Sequence, residues 1–222
     1  MGFPQIAGTA STAFGAAAGV LNLPANIAAG NLLLAVMTHS PVSAGVTWPA
    51  GWDELSDDFL SPDLNLAHAY RIADGGEGGT ITTTLAGGGR HSGFVYKITD
   101  WHGVTPPEVA VVANGDSLLP NSPALTPSWG AVDTLWISTF IHTTAGTPTF
   151  TEPANYDKSK LTDTSTNRHT SGIVGRERSI GVEDPGNWEL VGVASGIWLA
   201  NTLAVRPAGV AAKAKSQSIS LV

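Results

Sequence analysis

The sequence predicts an all-β protein: an antiparallel β-sandwich of jelly-roll or Ig-like type, built from two related halves of about six strands each. Three observations predict it. The first is composition. Of 222 residues only 13% are charged, while 26 Gly and 14 Pro punctuate a chain rich in Thr, Ser, Val and Ala. Long helices draw on Glu, Lys, Leu and Arg, so this balance favours short strands and tight turns. The second is a period of two. In "LNLAHAYRI", Leu64, Leu66, His68, Tyr70 and Ile72 share one face and Asn65, Ala67, Ala69 and Arg71 the other. That is the spacing of a pleated strand. The third is a loose internal repeat whose landmarks recur 102 to 106 residues apart, the mark of a duplicated strand-rich unit.

In chain order, "MGFPQIAGTAS" has no basic region and does not read as a secretory signal; Ile6 stands where a myristoylation signal needs Ser or Thr. "PANIAAGNLLLAVM" predicts a short helical turn over Ala25 to Ala29, stopped by Gly30, and then a strand. "AGNLLLAVMTH" (29–39) matches "AVDTLWISTFIH" (131–142): each is a turn, an Asn or Asp, and an apolar strand ending in His. "TWPAGWDEL" (47–55) matches "TFTEPANYDKSKL" (149–161), setting Pro49 to Asp53 against Pro153 to Asp157. Trp48 and Trp52 in one copy, Phe150 and Tyr156 in the other, are expected to cap the end of a sandwich, bodies buried and polar tips wet. "RIADGGEGGTITTTL" (71–85) faces "RSIGVEDPGNWELVGV" (178–193), and "TITTTL" reads as one alternating strand. "HSGFVYKITD" (91–100) faces "ASGIWLANTLAVRP" (194–207), with Ser92-Gly93 over Ser195-Gly196. The halves are therefore 1–107 and 108–207, followed by a C-terminal arm, 208–222, carrying Lys213 and Lys215 and suited to strand addition on a neighbouring subunit. Separate sandwiches and interleaved sheets of one sandwich both fit.

Several function classes drop out. A net charge of -7 and a pI near 5.2 argue against a nucleic-acid surface. With no cysteine there is no disulfide, thiolate zinc site or cysteine nucleophile. Apolar runs such as "LLLAVM" (32–37) are too short to span a bilayer as a helix, so a soluble protein without membrane contact is expected. The chain has no G-x-S-x-G elbow, H-E-x-x-H helix or P-loop. His39, His68, His91, His102, His142 and His169 are scattered without metal-ligand spacing; His68, on an apolar strand face, reads as a hydrogen-bonded core residue.

Asp74 and Glu77 in "ADGGEGG" have calcium-type oxygens, but a glycine-rich hairpin explains them with less. Glu54, Asp57, Asp58 and Asp63 read as solvating a loop. No catalytic residue, metal or cofactor is expected. Among seven tryptophans, Trp136 and Trp198 lie within apolar strands, whereas Trp52 and Trp101 sit in turns beside Asp53 and Asp100 and can face a ligand. Candidate ligand or subunit contacts are Trp52, Asp53, Trp101, Tyr156, Asp157, Lys213 and Lys215.

The stretches "LPANIAAGNLLLAVM", "VTWPAGWDEL", "LAHAYRIADGGEGGTITTT", "LTPSWGAVDTLWIST" and "TLAVRP" resemble β-sandwich structural proteins from virion modules of tailed phages and prophages, associated with head decoration or with tails and fibres. The resemblance covers most of residues 20–207 through turn and strand signatures of moderate specificity, and leaves out the arm. It implies a virion structural protein without enzymatic activity or cofactor, assembled in the host bacterial cytoplasm. Its implied partners are other copies of itself and virion proteins such as the major capsid or tail protein. The leading expectation is a capsid decoration or cement protein acting by subunit contacts. The alternative is a tail-fibre, head-fibre or minor tail module binding host surface glycans. An esterase or glycosidase would need a Ser-His-Asp arrangement or paired carboxylates in a cleft.

Overall fold

A computed structural model describes residues 2–15, 19–40, 45–60, 62–85, 90–144, 146–165 and 169–209. Among these the chain is all β and contains no helix. The first stretch forms β1 (Gln5–Gly15), β2 (Val20–Asn22), β3 (Leu32–Ser40), β4 (Val46–Thr47), β5 (Asp53–Leu60), β6 (Leu64–Ile72), β7 (Thr80–Thr82), β8 (Thr84–Leu85) and β9 (Arg90–Thr99). The second forms β10 (Glu108–Val109), β11 (Ala113–Asp116), β12 (Asn121–Ser122), β13 (Val132–Thr143), β14 (Thr149–Thr151), β15 (Lys158–Thr164), β16 (His169–Ile180), β17 (Gly186–Asn187), β18 (Glu189–Val191) and β19 (Ile197–Val205).

Two antiparallel sheets carry the fold. One runs β1-β9-β3-β6-β5, the other β10-β19-β13-β16-β15 with β11 also on β19. Small ribbons accompany each: β2-β7 and β4-β8 with the first, β12-β17 and β14-β18 with the second. The strand order is thus the same in both, and each sheet comes from one contiguous stretch of chain.

Alternation decides where side chains go, and here both sides of each sheet are apolar. Leu32, Leu34 and Val36 of β3 join Leu135, Ile137 and Ile141 of β13 in a cluster between the sheets. Leu33, Ala35 and Met37 point the other way, into a cluster roofed by Leu21, Val46 and Trp52. On the far side Trp136 and Phe140 pack against Tyr156, Trp188 and Leu190. All nine residues of β3 are consequently buried, a pattern usual for strands covered on both faces. Gly93 is part of this packing: a Cβ there would lie 2.1 Å from Leu21 Cδ2 and 3.0 Å from Val36 O.

Four expectations need correction. No helical turn forms over Ala25 to Ala29. Asn26 has φ +55°, the Ala28 N–H donates to Asn31 Oδ1, and Lys97 Nζ donates to the carbonyls of Ala25 and Asn26, so local side-chain bonds replace the helical ladder. "TITTTL" is two strands: β7 pairs with β2 and β8 with β4, divided at Thr83, which bonds Gly19 through both its N–H and its hydroxyl. Trp52 and Tyr156 pack on the outer faces of the sheets rather than at an end of the central core. Finally, Ser92-Gly93 and Ser195-Gly196 are not matching positions. Ser92 lies within β9 opposite Thr38, whereas the residue opposite Ile141 is Leu199; Ser195 and Gly196 precede β19 and tie down the Asp116–Ser117 turn.

Candidate functional site

The two Pro-Ala-x-aromatic-Asp segments fold alike. The Trp52 N–H donates to Pro49 O at 3.2 Å and the Tyr156 N–H to Pro153 O at 3.0 Å. The third turn position has a positive φ in both, +86° at Gly51 and +65° at Asn155, as a type II turn requires. From such a turn the ring goes inward and the next carboxylate outward. Trp52 is 8% and Tyr156 1% exposed, while Asp53 and Asp157 lie at the surface. The expectation that Trp52 can face a ligand is therefore corrected, and so is the wet tip expected of Tyr156, whose hydroxyl is buried with its ring. Trp101, also expected to face a ligand, instead plugs the central core and donates its indole N–H to Gly30 O at 2.9 Å. Lys213 and Lys215 lie outside the described residues.

An arginine and a buried glutamate stand behind each turn. Beside Trp52, Arg71 donates through Nη2 to Asp74 (2.7 Å) and through Nε to Glu77 (3.2 Å). Glu77 further accepts the N–H groups of Asp74 and Gly75, so these acids serve the turn itself. The Asp74 carboxyl is held below its usual range by the Gly76 N–H first and by Arg71 second. A surface pocket of about 280 Å³ remains, lined by Pro49, Trp52, Arg71, Glu77, Ile81 and Thr82 among others. Beside Tyr156, Glu183 is fully buried and receives both Arg176 (2.8 Å) and Arg178 (3.3 Å). Arg176 also lies over the Tyr156 ring, 5.8 Å from its centre. Burial foremost, then the Glu183 charge, pushes the Tyr156 hydroxyl far above its ordinary range.

A second polar assembly lies between the sheets, and sequence order gave no hint of it. At one end of the core Thr38, Ser92 and Ser171 link their hydroxyls at 2.7 to 3.2 Å, and Ser92 Oγ is 3.2 Å from His169 Nε2. Ser92 and His169 are buried, and His169 Nδ1 has no hydrogen-bond partner. Asp163 accepts the Phe14 N–H rather than orienting that imidazole, so the base–carboxylate step of a catalytic triad is missing here. His39 is buried with neither ring nitrogen bonded; burial, reinforced by His91 and opposed by Asp57, lowers its pKa to about 4. Burial foremost, with smaller charge effects from His39 and His91, takes His169 to about 3.

Deeper in the core, His68 bridges Ser56 Oγ and Thr139 Oγ1, each at 3.0 Å, joining the two sheets, and burial takes it to about 3. Of the acids read as solvating a loop, Asp57 and Asp58 are structural instead, while Glu54 is exposed and Asp63 lies in the β5–β6 turn. Asp57 accepts the Val46 N–H and the Asn65 amide, and Asp58 accepts the Asn201 amide of the opposite sheet. The signal available in the sequence was Asn201 interrupting an otherwise apolar strand face. Among the described residues no group of three or more His, Asp or Glu is placed to hold a metal ion. Comparison with known proteins finds no matching family model, no matching curated protein and no matching solved structure.

Proposed function

We propose that this chain is a structural protein of the exterior of a tailed-phage particle, a capsid decoration or cement protein that acts through contacts between subunits and has no catalytic role. The observation that carries the reading is β1. It is an eleven-residue strand at the edge of its sheet, without one charged residue, and Ala7, Thr9, Ser11 and Ala13 are exposed along it. Soluble proteins usually blunt such edges with charge, as β5 does with the exposed Asp53 and Glu54 and β15 with the exposed Lys158 and Lys160. A smooth edge of small side chains suits close lateral packing against a neighbour. The burial of Ser92, His169 and His68 agrees with a structural role, as does the resemblance of the five sequence stretches. Cryo-electron microscopy of the assembled particle tests the reading: density for this chain on the outer surface is expected, and particles lacking it would overturn it.

We read the two layers as a sandwich of two related halves, supported by the shared strand order and the shared turn–Arg–Glu corners. Jelly rolls and Ig domains pass strands between their layers; here each half keeps its own sheet, which favours a pairing of like units over either type.

The pocket beside Trp52 favours a second reading, a fibre or minor tail module that holds a host glycan. Its indole is nearly sealed, which limits stacking. Binding on a glycan array that is lost in Thr82→Arg would support it, and no binding by the intact protein would remove it.

A further inference from the structure

We propose that the pocket beside Trp52 is a docking site for an arginine side chain presented by a neighbouring protein subunit. The inference rests on the reading of this chain as one that acts through contacts between subunits.

The second half of the molecule shows what such a corner holds. Arg71 pairs with Leu33 of β3 and Arg176 with Trp136 of β13, so the two arginines stand at corresponding places. Arg176 bonds Glu183 and lays its guanidinium over the Tyr156 ring. Arg71 reaches its own glutamate, Glu77, through Nε but turns Nη2 away to Asp74. Among the described residues no cation lies over Trp52. A pocket of about 280 Å³ borders Trp52, Glu77 and Thr82 there instead.

The charges differ in the same sense. Arg178, the second partner of Glu183, lies two residues beyond Arg176; two residues beyond Arg71 stands Ala73. The bonded groups are therefore two cations and one acid at the Tyr156 corner, but one cation, Arg71, and two acids, Asp74 and Glu77, at the Trp52 corner. The first corner lacks a positive charge that the second supplies from its own chain. Glu77 is 2% exposed, and a charge so buried is little screened by salt. Its Oε2 accepts the Gly75 N–H and keeps capacity for another donor.

A guanidinium suits this wall better than a sugar does. It is a planar fork of N–H donors that pairs with carboxylates and packs on aromatic rings. A pyranose needs a broad open ring face, and Trp52 is only 8% exposed. Arg71 does not bar a second guanidinium, because Arg176 and Arg178 already share the Glu183 carboxylate.

Nuclear magnetic resonance titration of the intact protein with N-acetyl-arginine methylamide at pH 7 and low salt tests the proposal. The Trp52 indole N–H and the Gly76 and Glu77 amides are expected to shift and saturate with a Kd on the order of 1 mM, as a ligand of this size allows. The citrulline analogue keeps the shape and loses the charge, and should bind about tenfold more weakly. Free arginine should bind no more tightly than the blocked residue, which mimics an arginine within a chain. Thr82→Arg, which places a guanidinium at the pocket, should abolish the shifts. No saturation, equal binding of the citrulline analogue, a clear preference for the free amino acid, or displacement of the arginine by N-acetylglucosamine would overturn the site; so would an unchanged titration in Thr82→Arg. Should that variant fail to fold, the ligand series on the wild-type protein decides. An arginine site in a protein absent from the particle would overturn the virion reading alone; copies on the particle without an arginine site would overturn this inference alone.

Discussion

The Trp52 corner and the Tyr156 corner share a turn, an arginine and a buried glutamate, yet they satisfy that glutamate differently. Glu77 leans on two backbone N–H groups and on Arg71, which keeps Asp74 as a second partner. Glu183 depends on two guanidinium groups, one of them stacked on the ring. The first arrangement leaves a pocket over the indole; the second folds Arg176 onto the tyrosine. A buried carboxylate needs donors, and neutral backbone donors serve as well as charged ones, but what remains when the carboxylate is removed is not the same.

The largest expected effect asks whether both corners are anchored by their rings. Trp52→Ala and Tyr156→Ala should each lose about 3–5 kcal/mol in denaturant unfolding, and a near-neutral result at either would mean that corner is not part of the packed structure. Removing the carboxylates sharpens the contrast. Glu183→Ala strands two arginines and should lose about 3 kcal/mol, whereas Glu77→Ala leaves Arg71 paired with Asp74 and should lose about 1–2 kcal/mol. Equal losses would erase the distinction drawn here. The smallest effects lie in the turns. Gly51→Ala forces a side chain to φ +86° and sets a Cβ 2.3 Å from Arg71 Nη1; it should lose about 1–2 kcal/mol. Asn155→Gly, at a position Asn already tolerates, should stay within about 0.5 kcal/mol, as differential scanning calorimetry would show.

Much of the fold was legible because its signals are local. Alternation in "LNLAHAYRI" marked β6, Asn or Asp before an apolar run marked β3 and β13, and Pro-Ala-x-aromatic-Asp marked both corners. The misplaced landmark at Ser92 and Ser195 shows the limit: two identical dipeptides, one inside a strand under Leu21 and one in a turn, cannot be told apart without their neighbours. Thr83 is a similar case, since a uniform run of threonines does not reveal that its two ends pair with different strands.

By itself the sequence determined that this chain forms strands, where most of them turn, and that no cysteine chemistry operates, because backbone preference and side-chain period act within a few residues. The tertiary structure alone decided that both faces of each sheet are covered, that Trp52, Trp101 and Tyr156 point inward, and that His169 and three hydroxyls meet between the sheets. Those outcomes depend on Ser92 meeting Ser171 and Asp58 meeting Asn201, contacts between residues far apart in the chain. Packing the whole molecule selects them, and no local pattern encodes them.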